Sequence, residues 1–283
     1  MIRLGMHTDN WRTLSGNVGQ AVDSAMKYKL EFIEFGVIDG QDFIEGLGYS
    51  PAVPLDSNPL KLRRELEKQG LRISQIDAGY PITGPTGATY GVRYIQRAIQ
   101  FAHLVGAPYV DTTDGGHKPA GYTDAEVLAI TKLNYRLVLE WAEEFKVGIN
   151  IEPHGPYTTN PDVMEQILGF HDSPWLGINF DTGNTFIAGQ DPVAYVKRFA
   201  KRIRHVHCKD VSQELCDAIR GGVTGIACSN AAIGEGVNAE NIRGVIRVLN
   251  GIGWEGVFSI ECAGLDDTIR KSVEWLRKVK DSK

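Results

Sequence analysis

A short apolar run rich in β-branched residues, followed by a stretch with the three-to-four-residue apolar spacing of a helix, recurs eight times along the chain. The runs are IRLGMH (2–7), LEFIEFG (30–36), LRISQID (71–77), PYVDTT (108–113), VGINIE (147–152), LGINFD (176–181), IRHVHCK (203–209) and GVFSIE (256–261). The stretches between them predict helices over about 16–28, 57–69, 86–105, 123–145, 161–171, 191–201, 239–251 and 266–280. Start signals agree, because Asp56-Ser57-Asn58-Pro59, Thr123-Asp124-Ala125-Glu126, Asn160-Pro161 and Asp191-Pro192 each offer a capping oxygen or a first-turn proline. Gly70, Gly106 and Gly148 supply stops before the next strand. Eight strand-helix units without a linker predict a parallel sheet closed on itself: one α/β domain over 1–283, a (β/α)8 TIM barrel.

Barrels of this kind run to 283 residues as one unit, so the length asks for no second domain. No apolar run approaches the roughly 18 residues of a membrane helix, and no membrane association is expected. The opening MIRLGMHTDNWRTL lacks the basic, apolar and small-residue segments of a leader, which makes the cytoplasm the expected address. Cys208, Cys216, Cys228 and Cys262 show no CxxC pairing and read as reduced thiols. A net charge of −5 and a pI near 5.8 argue against nucleic acid as a partner.

In a barrel of this kind chemistry sits at the C-terminal ends of the strands, and here those ends are polar. Strand one ends at His7-Thr8-Asp9, strand two carries Glu34, strand three ends at Asp77, and strand four runs into Asp114-Gly115-Gly116-His117. Strands five to eight end at Glu152, Asp181, His207 and Glu261. Side chains alternate along a strand, so Asn150, Glu152 and His154 share one face, as do His205, His207 and Lys209. Three carboxylates converging on one point repel one another unless a cation offsets them, which predicts a divalent metal site with oxygen and imidazole ligands. Mn²⁺, Co²⁺, Mg²⁺ and Zn²⁺ all suit that set.

The stretches IEPH, NFDTGN, HVHCKD and SIEC, with the opening RLGMHTD and GEGVN at 234–238, resemble the xylose-isomerase-like barrel superfamily of sugar phosphate isomerases and epimerases. The resemblance covers essentially the whole chain. It implies that Glu152, Asp181, His207 and Glu261 hold one divalent ion, with Mn²⁺ favoured, and that Glu152 and Glu261 move a substrate proton. The expected activity is a sugar isomerase or epimerase working through an enediolate. His154, two residues beyond a ligand, is a candidate second acid/base.

Two departures matter. The family's ketose 3-epimerases carry a histidine where this chain has Asn184, and an arginine shortly after the strand-seven histidine, where this chain has Lys209-Asp210. Arg220 is a candidate replacement. The alternative is therefore a metal-dependent lyase or dehydratase on a 3-keto-sugar or 3-oxo-glycoside, which in some members works with a small partner subunit. Endonucleases of the superfamily use more histidines and a basic groove, which this acidic chain lacks. Substrate contacts are expected from His7, Trp11, Asp114, His117, Asn184, Lys209 and Arg220, and the partner is a sugar or sugar derivative. The segment 210–238 is too long for an ordinary turn and is expected over the mouth. By analogy with the family a homo-oligomer is expected.

Overall fold

The computed structural model describes residues 1–14, 17–39, 51–264 and 266–282. Eight parallel strands form the sheet: β1 (Ile2–His7), β2 (Phe32–Ile38), β3 (Arg72–Pro81), β4 (Tyr109–Thr113), β5 (Gly148–Ile151), β6 (Leu176–Asp181), β7 (Ile203–Cys208) and β8 (Gly256–Ile260). The sheet closes because β1 pairs with β2 on one side and with β8 on the other. A short strand, Ala52–Pro54, extends the upper end of β2. The strands follow from sequence because their β-branched and aromatic residues are buried on both faces, as a helix-covered parallel sheet requires.

A main helix follows each strand, with shorter helical turns beside some of them: α1 (Val18–Lys27), α2 (Pro59–Lys68), α3 (Val92–Val105), α4 (Asp124–Phe145), α5 (Pro161–Leu168), α6 (Pro192–Phe199), α7 (Ala239–Gly251) and α8 (Asp266–Val279). Asn58, Thr123, Asn160 and Asp191 each cap the helix that the sequence assigns to them, and Thr123 with Glu126 forms a reciprocal capping box. The expected start at residue 16 lies outside the described residues. Several boundaries differ from expectation, as where β3 runs on to Pro81 instead of residue 77 and α5 stops at Leu168 instead of 171, and two of the differences have a visible cause. The stretch 86–105 opens with a helical turn at Gly84–Thr86 and a wide turn at Gly87–Gly91, so α3 begins only at Val92. There the backbone presses on Pro81 and Ile82, and a Cβ at Gly87 would fall 1.8 Å from the Ile82 carbonyl oxygen. The α4 stop is Lys146, at φ 57°, instead of Gly148, which already belongs to β5.

Among the described residues no helix is long and apolar enough to cross a membrane.

Candidate active site

The ends of β5 to β8 bring Glu152, Asp181, His207 and Glu261 together, with one ligand atom from each within 4.8 Å of the others. Three of the four are fully buried, and Glu261 is nearly so. The local sequence explains the arrangement. Asp181 caps the short helix Thr182–Ile187, its Oδ1 accepting from the Gly183 and Asn184 amides at 2.7 and 2.8 Å, which leaves Oδ2 turned inward. Gly183 is required because the Lys209 stem passes over it: a Cβ there would fall 2.6 Å from Lys209 Cγ.

His207 is gripped from both sides. Its Nε2 lies 2.9 Å from Glu34 Oε1, and its Nδ1 lies 2.9 Å from Glu152 Oε1 and 3.3 Å from Glu261 Oε2. Burial opposes the imidazolium, but Glu34, Glu152 and Glu261 outweigh it and hold the His207 pKa well above the usual range. A buried chain continues inward: Gln75 donates to Glu34 at 2.9 Å, and Asn150 donates to Gln75 at 2.6 Å. A carboxylate fixing one imidazole nitrogen while the other faces an acid cluster is the arrangement that metal-binding histidines adopt.

Lys209 Nζ sits 2.8 Å from Glu261 Oε1, 3.1 Å from Asp181 Oδ2 and 3.1 Å from Asn184 Oδ1. Burial disfavours its charge, yet Asp181 and Glu261 hold the Lys209 pKa raised. Burial pushes Asp181 up to about 7, against the lowering effect of Lys209. Burial also pushes on Glu261, but Lys209 and His207 keep its carboxyl well below the usual range. The donor set fits one divalent ion: three carboxylates and an imidazole nitrogen converge, and Glu261 Oε2 is buried without a hydrogen-bond partner.

This cluster forms one end of a cavity of about 680 Å³, to which Glu152, His154, Asn184, His207, Lys209 and Glu261 contribute. His154 Nδ1 is buried and without a hydrogen-bond partner, and burial lowers its pKa. The segment after β7 does fold over the mouth, where Ile226, Ala227 and Cys228 line the cavity. Its root is held by Asp210, whose carboxylate accepts from the amides of Val211, Gly234, Gly236 and Asn238. Its inner stretch is held by the Gly225 amide, which donates to the His154 carbonyl at 2.9 Å.

Several expected substrate contacts have other work. Asp114 is buried and clamps the loop after β5, its oxygens accepting from the Gly155, Tyr157 and Thr158 amides at 2.6, 2.7 and 3.0 Å and from the Thr158 hydroxyl at 2.8 Å. Trp11 is packed into the core and gives the cavity no surface. His117 is exposed, and Arg220, also exposed, lies over the Phe186 ring at 4.3 Å; neither lines the cavity. His7 is fully buried beneath the site, with Nδ1 accepting from the Asp9 amide at 2.9 Å and its ring edge against His207.

Conversely, the tyrosines Tyr90 and Tyr94 line the cavity without being anticipated; their four-residue spacing on one helical stretch was the available signal. Asp111, in register with Asp77 and Asn150, is fully buried, and neither oxygen has a hydrogen-bond partner. Burial, with Glu152 second, pushes its pKa well above the usual range.

Comparison with known proteins bears on this site. An inosose dehydratase of Bacillus thuringiensis (strain Al Hakam) is 24% identical over 242 residues, covering 79% of this chain and 80% of that one. A D-tagatose 3-epimerase-like protein superposes with a TM-score of 0.76 at 21% identity, covering 98% of this chain and 96% of that one. The IOLI protein, crystallised with a zinc atom, superposes with a TM-score of 0.77 at 15% identity, covering 98% of both. A family model described as xylose isomerase-like TIM barrel matches residues 22–279. The chain therefore belongs to the xylose isomerase-like TIM barrel family.

Proposed function

We propose that this enzyme is a divalent-metal-dependent dehydratase acting on a polyhydroxylated ketone. One observation carries the choice over epimerisation. A two-base epimerase needs a free carboxylate on each face of the substrate carbon, and here Lys209 Nζ sits 2.8 Å from Glu261 Oε1. The second face thus offers an ammonium, which serves a leaving hydroxyl better than it serves proton removal. The absence of the histidine and arginine of ketose 3-epimerases, with Asn184 and Lys209 in those parts of the site, points the same way.

Glu152, Asp181, His207 and Glu261 would hold the ion, which when bound stabilises negative charge developing on the substrate's carbonyl oxygen. Glu152 takes the proton from the carbon next to the carbonyl. The electron pair of that C–H bond forms a C=C bond as the adjacent C–O bond breaks, and the hydroxyl leaves as water with a proton from Lys209. His154, in the cavity wall, donates to or accepts from a substrate hydroxyl. Asn184, bonded to both Glu152 (3.4 Å) and Lys209 (3.1 Å), keeps base and acid in register.

Epimerisation stays as a second reading because Glu152 and Glu261 both reach His207 Nδ1, at 2.9 and 3.3 Å, so the two carboxylates flank one point. Mn²⁺-loaded protein incubated in D₂O with inososes, ketoses and 3-keto-sugars separates the two. Loss of water from a substrate supports dehydration; a product of unchanged skeleton with one deuterium supports epimerisation. In either case Glu152→Gln is expected to lower the rate by at least about a hundredfold, and a variant of unchanged rate removes Glu152 as the base.

A further inference from the structure

The cavity has a second end that the chemistry above does not use. Away from the acid cluster its described wall includes Val37, Ile38, Asp39, Ala52, Tyr80, Tyr90 and Tyr94, from the end of β2, the short strand beside it, β3, the wide turn at Gly87–Gly91 and α3. The three tyrosine rings pack on one another, with centroids 4.9 Å apart for Tyr80 and Tyr90, 5.4 Å for Tyr80 and Tyr94, and 6.0 Å for Tyr90 and Tyr94. Two of their hydroxyls are already committed. Tyr94 donates to the Val37 carbonyl at 2.6 Å, and Tyr90 donates to Asp39 Oδ2 at 2.7 Å. Asp39 is in turn paired with Arg97. Among the described residues this end therefore presents mostly ring and aliphatic carbon, with the Tyr90 and Tyr94 hydroxyls and the Asp39 carboxylate turned to partners within the wall.

We propose that this end binds an apolar, ring-shaped substituent carried by the reacting polyhydroxy ketone, so that the substrate is a conjugate and not a free sugar. The inference rests on the reading that a ketone reacts at the acid end. A bare sugar has hydroxyls around its whole rim and would leave them facing hydrocarbon here, at a cost that hydroxyl groups incur when desolvated without partners. A flat apolar group gains from burial and from ring-on-ring contact. The size agrees: small-molecule sites run from about 300 to 1,000 Å³, and 680 Å³ leaves room beyond one ring.

Titration calorimetry of Mn²⁺-loaded protein with the methyl, phenyl and glucosyl 3-keto-β-glucosides tests the subsite apart from the chemistry. The phenyl compound is expected to bind at least about tenfold more tightly than the other two. Ala52→Leu, which narrows the tyrosine end, and Tyr80→Ala, which opens it, are each expected to bring the phenyl-to-methyl affinity ratio below about threefold. Equal affinity for phenyl and methyl, tighter binding of the glucosyl compound, or a ratio that neither variant changes overturns the proposal. Proton exchange in D₂O, followed on the same compounds, reports the chemistry separately. A phenyl preference without exchange would keep the subsite and remove the reaction; exchange without preference would do the reverse.

Discussion

Glu34 shows how much a single buried residue decides. It is not among the residues lining the active-site cavity, yet its carboxylate fixes His207 at 2.9 Å and thereby turns the other imidazole nitrogen toward the acids. Outer partners of this type typically carry about 10–100-fold in metal affinity. Glu34→Gln is accordingly expected to weaken Mn²⁺ binding by that factor, read by titration with electron paramagnetic resonance; affinity within twofold of wild type would remove the role. His205 makes a second case. Burial pushes its pKa down to about 4 from 6.5, and it is held neutral between Asn179 at 2.9 Å and Ser74 at 3.1 Å. Because the unfolded chain takes up that proton more readily, His205 contributes stability above pH 6.5 that is lost as pH falls toward 4. The full loss is ~3 kcal/mol. His205→Asn is expected to flatten this part of the stability profile, measured by urea unfolding at pH 4 to 7; an unchanged slope would locate the acid sensitivity elsewhere.

The elements themselves were legible because their determinants are local. Apolar period, capping oxygens and first-turn prolines lie within a few residues of the structure they specify, as Asn58-Pro59 and Asn160-Pro161 illustrate. The four converging strand ends were legible too, since strand alternation and barrel closure leave acidic tips little choice of direction. What escaped depends on distant partners. Asp114 looked like a mouth residue, but its four donors come from residues 155–158, across two adjoining loops. Lys146 could end α4 at positive φ only because the chain turns at once into β5. The Asp114 clamp joins the loops after β4 and β5, where a Cβ on Gly155 would fall 1.9 Å from the Gly115 carbonyl oxygen. Asp114→Ala leaves buried amides without acceptors and is expected to cost about 3 kcal/mol in urea unfolding. A loss under about 1 kcal/mol would mean that water replaces the carboxylate.

For the molecule as a whole, the closed barrel concentrates acidic charge at one point and must offset it. His207 and Lys209 do part of this, bridging Glu34, Glu152, Asp181 and Glu261. A bound divalent ion is expected to raise the thermal midpoint, since a ligand at about a hundred times its dissociation constant adds ~2.7 kcal/mol. For a chain of this size that is several degrees, and a chelator should reverse it; a midpoint indifferent to both would argue against the metal site.

The segment after β7 divides into two parts with different freedoms. Asp210 fixes its root and Gly225 fixes its inner stretch, where a Cβ would fall 2.2 Å from the Asn184 carbonyl oxygen. Between them the short helix Gln213–Ile219 has no buried residue. Its exposed face can therefore accept substitutions or a tag, whereas Leu215 and Cys216, packed against Phe186, Ile187 and Val211, have to stay apolar. Substrate preference will instead shift through changes at 226–228, at Ala52 and at the tyrosines across the mouth, all of which line the one cavity.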